Sequence, residues 1–372
     1  MRFVLTRPPS TSRLLGAAAL AVLLVGAAHA ADGDKIRQWQ FARGANGLEL
    51  ALVEVPRPAP ARGQVAVRVH AVSLNRRDLL MQAGRYGPSS STAGGVPLSD
   101  GAGEVIAVGD GVTRFKVGDR VAGIFFERWI DGAPSADALA SARGGNPGGM
   151  LSEVVVSDAA ALVAFPKHLS YEEAATLPCT GVTAWNALFK RGNLDSKDFV
   201  LLEGTGGVSV IGLQLAAAAG AKAIITSSSD EKLEHAKKLG AFGTVNYRSN
   251  PDWQKEVRTL TGGKGVDQVL EVGGQDTLPK ALEALGYEGH VAVIGGLSGF
   301  ASSVPVGALM GLNATVSGIY VGSRADFEAM NEFIAKHKIK PVVDKVFEFA
   351  DARAAFDAMD KGEFFGKIVI RL

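Results

Sequence analysis

Apolar and polar positions follow two different rhythms along this chain. From Ile36 to Glu54 and from Gln64 to Leu74 short runs alternate with period two, clearest in Val65-Ala-Val-Arg-Val69, and the Pro56, Pro58 and Pro60 cluster separates them. That pattern predicts strands of an antiparallel, barrel-like unit. At Phe199 the rhythm changes. Phe199 to Leu202 is a continuous apolar run, which suits a strand covered on both faces of a parallel sheet. A glycine turn follows, then Val208 to Ala219 with Val208, Ile211, Leu215 and Ala219 on one helical face, then a second apolar strand at 223–226. Together they predict a βαβ unit. The alternation continues with strands at 243–246, 266–272 and 290–294 and helices at 230–239, 251–261 and 277–285. Strands interleaved with helices at this spacing predict a doubly wound parallel sheet in an α/β fold. Further helices at 324–336 and 352–359 and strands at 345–349 and 366–370 follow. Residues Trp129 to Met150 carry turn signals without a period, which predicts a surface loop.

The turn inside the βαβ unit carries candidate chemistry. Gly204, Gly206 and Gly207 remove side chains where the backbone reverses, so a pyrophosphate can approach main-chain N–H groups at a helix N-terminus. Gly204, Thr205, Gly206, Gly207 and Val208 are the predicted phosphate-binding residues. The third glycine of a dinucleotide fingerprint falls at Ser209, small enough for a helix to sit close on its strand. Gly273-Gly274 and Gly295-Gly296 follow two strands at their carboxyl ends, where such sheets bind ligands. Gly273, Gly295 and Gly296 are therefore placed near a nicotinamide ribose, although turn chemistry alone accounts for them equally well. At 227 − 204 = 23 residues past the first glycine, where an NAD site presents an acid to the ribose 2′-hydroxyl, the chain has Ser227. A 2′-phosphate meets no repulsion there and Lys232 can pair with it, so NADPH is the predicted cofactor and NADH the alternative. The competing reading has Ser227 to Ser229 capping the helix that starts at Asp230, with Lys232 a solvated charge.

A chain of 372 residues suits two domains. Its 39 basic and 38 acidic residues create no long-range field for nucleic acid or an anionic membrane, which leaves a small-molecule partner. Arg2, Arg7 and Arg13, an apolar run from Leu14 to Ala28, and Ala28-His-Ala30 ahead of Ala31 predict a signal peptide over 1–30 cleaved after Ala30. The mature protein is then exported, periplasmic and without stable membrane insertion; a start codon placed too far upstream would leave it cytoplasmic. Export pulls against a nicotinamide cofactor, whose supply is intracellular. Cys179 is the sole cysteine, so a disulfide within the chain is impossible.

The elements Asn75-Arg-Arg-Asp-Leu-Leu80, Gly84-Arg-Tyr-Gly87, Gly101-Ala-Gly-Glu-Val105, Gly118-Asp-Arg-Val121 and Leu177-Pro-Cys-Thr-Gly-Val-Thr-Ala-Trp185 resemble the medium-chain dehydrogenase/reductase superfamily. Within it the chain is most similar to the zinc-independent, quinone oxidoreductase-like branch. The resemblance covers 38–372. It implies a GroES-like catalytic domain over 31–164, completed by 322–372, a Rossmann cofactor domain over 165–321, and a homodimer. It also implies that Ser228, Lys232 and Tyr247 hold a 2′-phosphate, and that Asn75 and Tyr86 line the cleft and donate to the acceptor oxygen. Leu80 stands where some relatives have a tyrosine, which makes the pocket more apolar. A catalytic zinc needs three protein ligands. Asn75 and Ser99 stand at two of the family's ligand positions, only Cys179 matches a ligand, and a four-cysteine structural lobe cannot form. The expected metal is none. The expected activity is NADPH-dependent reduction of quinones or α,β-unsaturated carbonyls. An alcohol or aldehyde dehydrogenase and a non-catalytic cofactor-binding protein are the alternatives.

Overall fold

The computed structural model describes residues 35–372 apart from 45–46, 88–91, 146–147 and 302. The export segment read over 1–30 lies outside the described residues. The first rhythm folds as expected. β1 (Lys35–Gly44) and β2 (Gly47–Pro56) pair antiparallel and bury Trp39, Phe41 and Leu50. Then come β3 (Gln64–Ser73), α1 (Arg76–Gln82), β4 (Asp100–Val108), β5 (Arg120–Gly123), α2 (Ala136–Leu139), β6 (Val154–Asp158) and β7 (Leu162–Ala164). β3 is the hub of this half: it pairs antiparallel with β4 and β6, and its Val65, Val67, Val69 and Val72 are buried.

A helical passage links the two halves. α3 (Tyr171–Ala175) starts with a reciprocal cap, Ser170 Oγ accepting from Glu173 N at 3.1 Å and the Glu173 carboxylate from Ser170 N at 2.8 Å. A wide π-type turn over Leu177–Gly181 carries Cys179 into α4 (Val182–Trp185). The second half then alternates β8 (Phe199–Leu202), α5 (Gly207–Ala218), β9 (Lys222–Ser227), α6 (Asp230–Lys238), β10 (Gly243–Asn246), α7 (Trp253–Leu260), β11 (Val266–Glu271), α8 (Leu278–Ala284), β12 (Leu285–Val293), α9 (Val306–Leu312) and β13 (Thr315–Gly318). Its six strands are parallel in the order β10-β9-β8-β11-β12-β13. Val200, Leu201 and Leu202 of β8 are fully buried, which is why this strand reads as unbroken apolar sequence.

After α10 (Arg324–His337) the chain returns to the first sheet. β14 (Val343–Glu348) pairs parallel with β15 (Lys367–Arg371), beyond α11 (Ala352–Lys361), and β15 pairs antiparallel with β3. In the second half α9 and β13 were not expected. α9 has no buried residue and β13 is four residues long, so neither presents a periodic apolar face. The stretch from Trp129 to Met150 lies on the surface, as expected, over 131–137, which are exposed, while its ends are buried. Trp129, Ala142, Arg143 and Met150 are buried, and Arg143 is held by Glu127 at 2.9 Å and by Ser157. A buried ion pair and turn contacts anchor this segment, which gives it no sequence period. Among the described residues no helix is long and apolar enough to cross a membrane.

Candidate active site

Strand order reverses between β8 and β11, so their carboxyl ends open a crevice in the sheet. The turn after β8 enters it. Gly204 sits at φ +70°, and a Cβ at Gly204 or Gly206 would meet nothing within 4 Å, so this face of the turn is open. Gly206 caps α5 without a side chain, leaving the first N–H groups of a twelve-residue helix available to an anion. The turn and helix end therefore fit a dinucleotide diphosphate. Gly207 is constrained differently. A Cβ there would lie 2.6 Å from Lys367 Cδ and 2.9 Å from Thr180 Cγ2, because β15 runs past the turn and Gly366 N donates to Thr205 O at 3.0 Å.

The close approach of helix to strand, expected at Ser209, belongs to Gly212. A Cβ on Gly212 would fall 3.0 Å from Leu270 Cδ2 and 3.1 Å from Leu202 Cδ2. Ser209 instead turns inward and donates to Glu203 O at 2.6 Å. Gly273 and Gly295 pack against their neighbours: a Cβ would meet Thr277 Oγ1 at 2.3 Å in the first case and Val272 O at 2.7 Å in the second. Gly296 lies against the Phe300 ring. Ser298 N donates to Gly273 O at 2.7 Å, locking the turns after β11 and β12 together. Packing accounts for Gly273 and Gly295, whereas the exposed Phe300 ring can move away from Gly296.

A pair of buried acids underlies the crevice. Glu203 ends the run of β8 and Glu271 ends β11. Glu271 Oε1 accepts from Gly274 N and Thr277 Oγ1, both at 2.7 Å, while its Oε2 and both Glu203 oxygens find no donor of good geometry in the protein. Burial, and next the facing Glu271 carboxyl, push Glu203 well above the usual carboxylate range. Glu203 therefore keeps its proton to higher pH than an ordinary glutamate.

At the other end of the crevice Ser228 and Lys232 are half-buried and Tyr247 exposed, beside the end of β9, where Tyr247 N donates to Ser227 O at 3.0 Å. The structure thus brings the three predicted residues to one strand end. Lys232 Nζ reaches Gly362 O at 3.4 Å, and Ser229, not Ser228, caps α6. Thr205 Oγ1 lies 3.4 Å from Ser227 Oγ, tying the phosphate turn to this corner. Val208 is half-buried at the start of α5.

The catalytic candidates lie where β15 meets α1 and the π-type turn. Asn75 precedes α1, and its N–H donates to Asp78 Oδ2 at 2.7 Å. Its Oδ1 accepts from Lys367 Nζ at 2.6 Å, which fixes the amide. Asn75 is 6% exposed, with Nδ2 shut from solvent and without a hydrogen bond of good geometry, though it approaches Asp100 closely enough to favour that carboxylate. Asp100 is fully buried and accepts from Ser99 Oγ at 2.7 Å and Cys179 N at 3.1 Å. Burial raises Asp100 and pushes Asp78 up to about 6, while burial lowers Lys367; each acid and the ammonium restrain the other's shift. Tyr86 is half-buried, its hydroxyl 3.0 Å from the Tyr320 hydroxyl and its ring 4.9 Å from the Arg77 guanidinium. Burial holds the Tyr86 phenol above its usual range, so it stays protonated.

Sequence reasoning missed Lys367, Tyr320, Arg77 and Asp100. Lys367 and Tyr320 lie 292 and 234 residues from the partners they touch, and no local spacing signals that meeting. The donors gathered here are a poor set for zinc. Among the described residues no three His, Cys, Asp or Glu side chains gather as a metal site. Of the groups around Cys179, Asn75 and Ser99 are poor zinc ligands, and the Lys367 ammonium already supplies the positive charge among them.

Two domain families match, the alcohol dehydrogenase GroES-like domain over 61–167 and the zinc-binding dehydrogenase domain over 207–336. A zinc-type alcohol dehydrogenase-like protein of Schizosaccharomyces pombe is 44% identical over 317 residues, 83% of this chain and 91% of its own. A 2-haloacrylate reductase of a Burkholderia species is 32% identical over 337 residues, 85% of this chain and 93% of its own. A solved structure from Sinorhizobium meliloti 1021, described there provisionally as an alcohol dehydrogenase, superposes with TM-score 0.86 at 40% identity, covering 91% of this chain and 99% of that one. The protein is an oxidoreductase built from a GroES-like and a Rossmann domain. It belongs to the medium-chain dehydrogenase/reductase superfamily.

Proposed function

We propose that this chain uses NADPH to reduce the activated double bond of α,β-unsaturated carbonyl compounds or quinones, without a metal. The observation that carries the reading is the acceptor cluster itself, where Lys367, Asn75 and the paired hydroxyls of Tyr86 and Tyr320 stand in place of a metal ligand set. The reductase named for 2-haloacrylate among the relatives supports a substrate with a polarised C=C bond. When bound, the reduced nicotinamide supplies a hydride from C4 to the electron-poor carbon. Negative charge then moves to the acceptor oxygen, and a solvent proton completes reduction at the neighbouring carbon or, for a quinone, at oxygen.

The chain's own groups hold both partners. The open turn at Gly204 and Gly206 and the positive end of α5 take the diphosphate. Ser228, Lys232 and Tyr247 meet the 2′-phosphate, at a strand end that presents serine in place of an acid. Lys367 keeps the Asn75 amide in one orientation behind the acceptor site and offsets charge that develops there. A second copy is the natural partner: β13 ends the sheet, α9 beside it buries nothing, and Phe300, Val306 and Met310 are exposed.

The test is steady-state NADPH oxidation against a panel of enones and quinones, run beside alcohol oxidation with NADP⁺. Turnover of an enone or quinone supports the reading. Oxidation of alcohols alone, with zinc bound stoichiometrically, would favour the dehydrogenase reading that the Schizosaccharomyces relative's name suggests. Tight cofactor binding with no turnover would make the protein a non-catalytic binder.

A further inference from the structure

We propose that Tyr320 is the catalytic residue that donates to the acceptor oxygen, at the end of a hydrogen-bond chain running from Arg77 through Tyr86. The inference rests on the reductase reading above. Tyr320 lies just beyond β13 in the cofactor half, whereas Arg77 and Tyr86 come from α1 and the segment after it.

Direction in the chain follows from donor chemistry. Arg77 is buried, 6% exposed, and a guanidinium only donates. Its Nη1 donates to Arg143 O at 2.8 Å, and its guanidinium lies over the Tyr86 ring at 4.9 Å, close enough to act on the phenol. In the assigned order Arg77 heads the chain at Tyr86, and the Tyr86 hydroxyl gives its hydrogen to Tyr320 Oη, 3.0 Å away, in a pair where either hydroxyl can donate. Tyr320 then accepts from Tyr86, and its own hydrogen has no further use in the pair. Hydrogen bonds in series polarise one another, so a buried cation at the head strengthens the donor at the tail. Accessibility agrees. Asn75 Nδ2 is shut from solvent and Tyr86 is occupied on both sides, while Tyr320 is 43% exposed. Its ring is held edge-on by Phe126 at 4.9 Å and Phe125 at 6.2 Å, and Arg77 also lies over Phe125 at 4.7 Å. The tail of the chain is thus fixed in place beside an apolar wall.

Tyr320→Phe keeps the ring and its edge contacts and removes only the hydroxyl. The expected result is a loss of about 10²-fold in kcat/KM for the enone or quinone, carried mainly by kcat, as for loss of one oxyanion donor. The NADPH dissociation constant, measured by fluorescence titration, stays within about twofold. Tyr86→Phe breaks the chain one link earlier and lowers kcat/KM by a smaller factor, because Tyr320 keeps its hydrogen but loses its polarising partner. The split between these two variants is a readout that a merely structural role would not produce. Wild-type turnover with undiminished Tyr320→Phe turnover would overturn the assignment alone. Absence of wild-type turnover on every acceptor would overturn the reductase reading and the assignment with it.

Discussion

Replacing Glu203 by glutamine removes a buried carboxyl whose ionisation is disfavoured by burial and by the facing Glu271. The size of the effect follows from linkage. An unfolded glutamate titrates near pH ~4.3. Burial and the facing acid raise the folded Glu203 above that, so its contribution is fully present below the unfolded value and is lost as pH climbs through the folded one. Within that window wild-type stability falls by about 1.4 kcal/mol per pH unit relative to a chain that does not titrate there. Glutamine has the shape of the protonated acid, carries two amide hydrogens for Glu271 Oε2 and never ionises. The stability difference between Glu203→Gln and wild type should therefore widen in the variant's favour as pH rises above the unfolded value, by about 1.4 kcal/mol per pH unit until the folded carboxyl ionises. Urea unfolding followed by tryptophan fluorescence at several pH values measures it, with Trp39 and Trp253 buried as reporters. Parallel stability curves for the two proteins across that range would refute the protonated-pair argument.

Two further perturbations probe the ends of the site. Lys232→Ala should weaken NADPH about tenfold, the value of one charge-assisted contact, and leave NADH affinity unchanged in parallel titrations; equal losses for both cofactors would contradict the 2′-phosphate assignment. Lys367→Met should destabilise by about 3–5 kcal/mol near neutral pH, because it strands a buried Asp100 carboxylate, and by less near pH ~5, where Asp78, raised to about 6, takes up a proton. A pH-independent loss in denaturant midpoint would mean that Lys367 acts by packing alone.

The parts of this fold legible in the sequence are those that repeat locally. Phe199 to Leu202, the glycine turn and the small-residue helix announce a βαβ unit because strand burial and turn chemistry are both short-range demands. Gly212 was hidden because a glycine within a helix gives no sign of which strand it approaches, and Ser209 occupied the expected position. The cofactor crevice was largely visible for the same reason as the fold: its residues follow strand ends in order. The acceptor site was only half visible. Asn75 and Tyr86 lie in recognisable local elements, whereas Lys367 reaches them from β15 and Tyr320 from beyond β13. Their roles depend on contacts across hundreds of residues, which no periodicity encodes. The buried anchoring of Arg143 within a turn-rich stretch was invisible likewise, since a single ion pair leaves no pattern.

The central claim is that the reduction needs the chain's own donors and no metal. Its most direct test is NADPH oxidation with an enone or quinone acceptor by exhaustively chelated protein whose metal content has been measured. The account predicts an undiminished rate at well under one metal ion per chain. A rate that vanishes with the metal and returns when zinc is restored would contradict it.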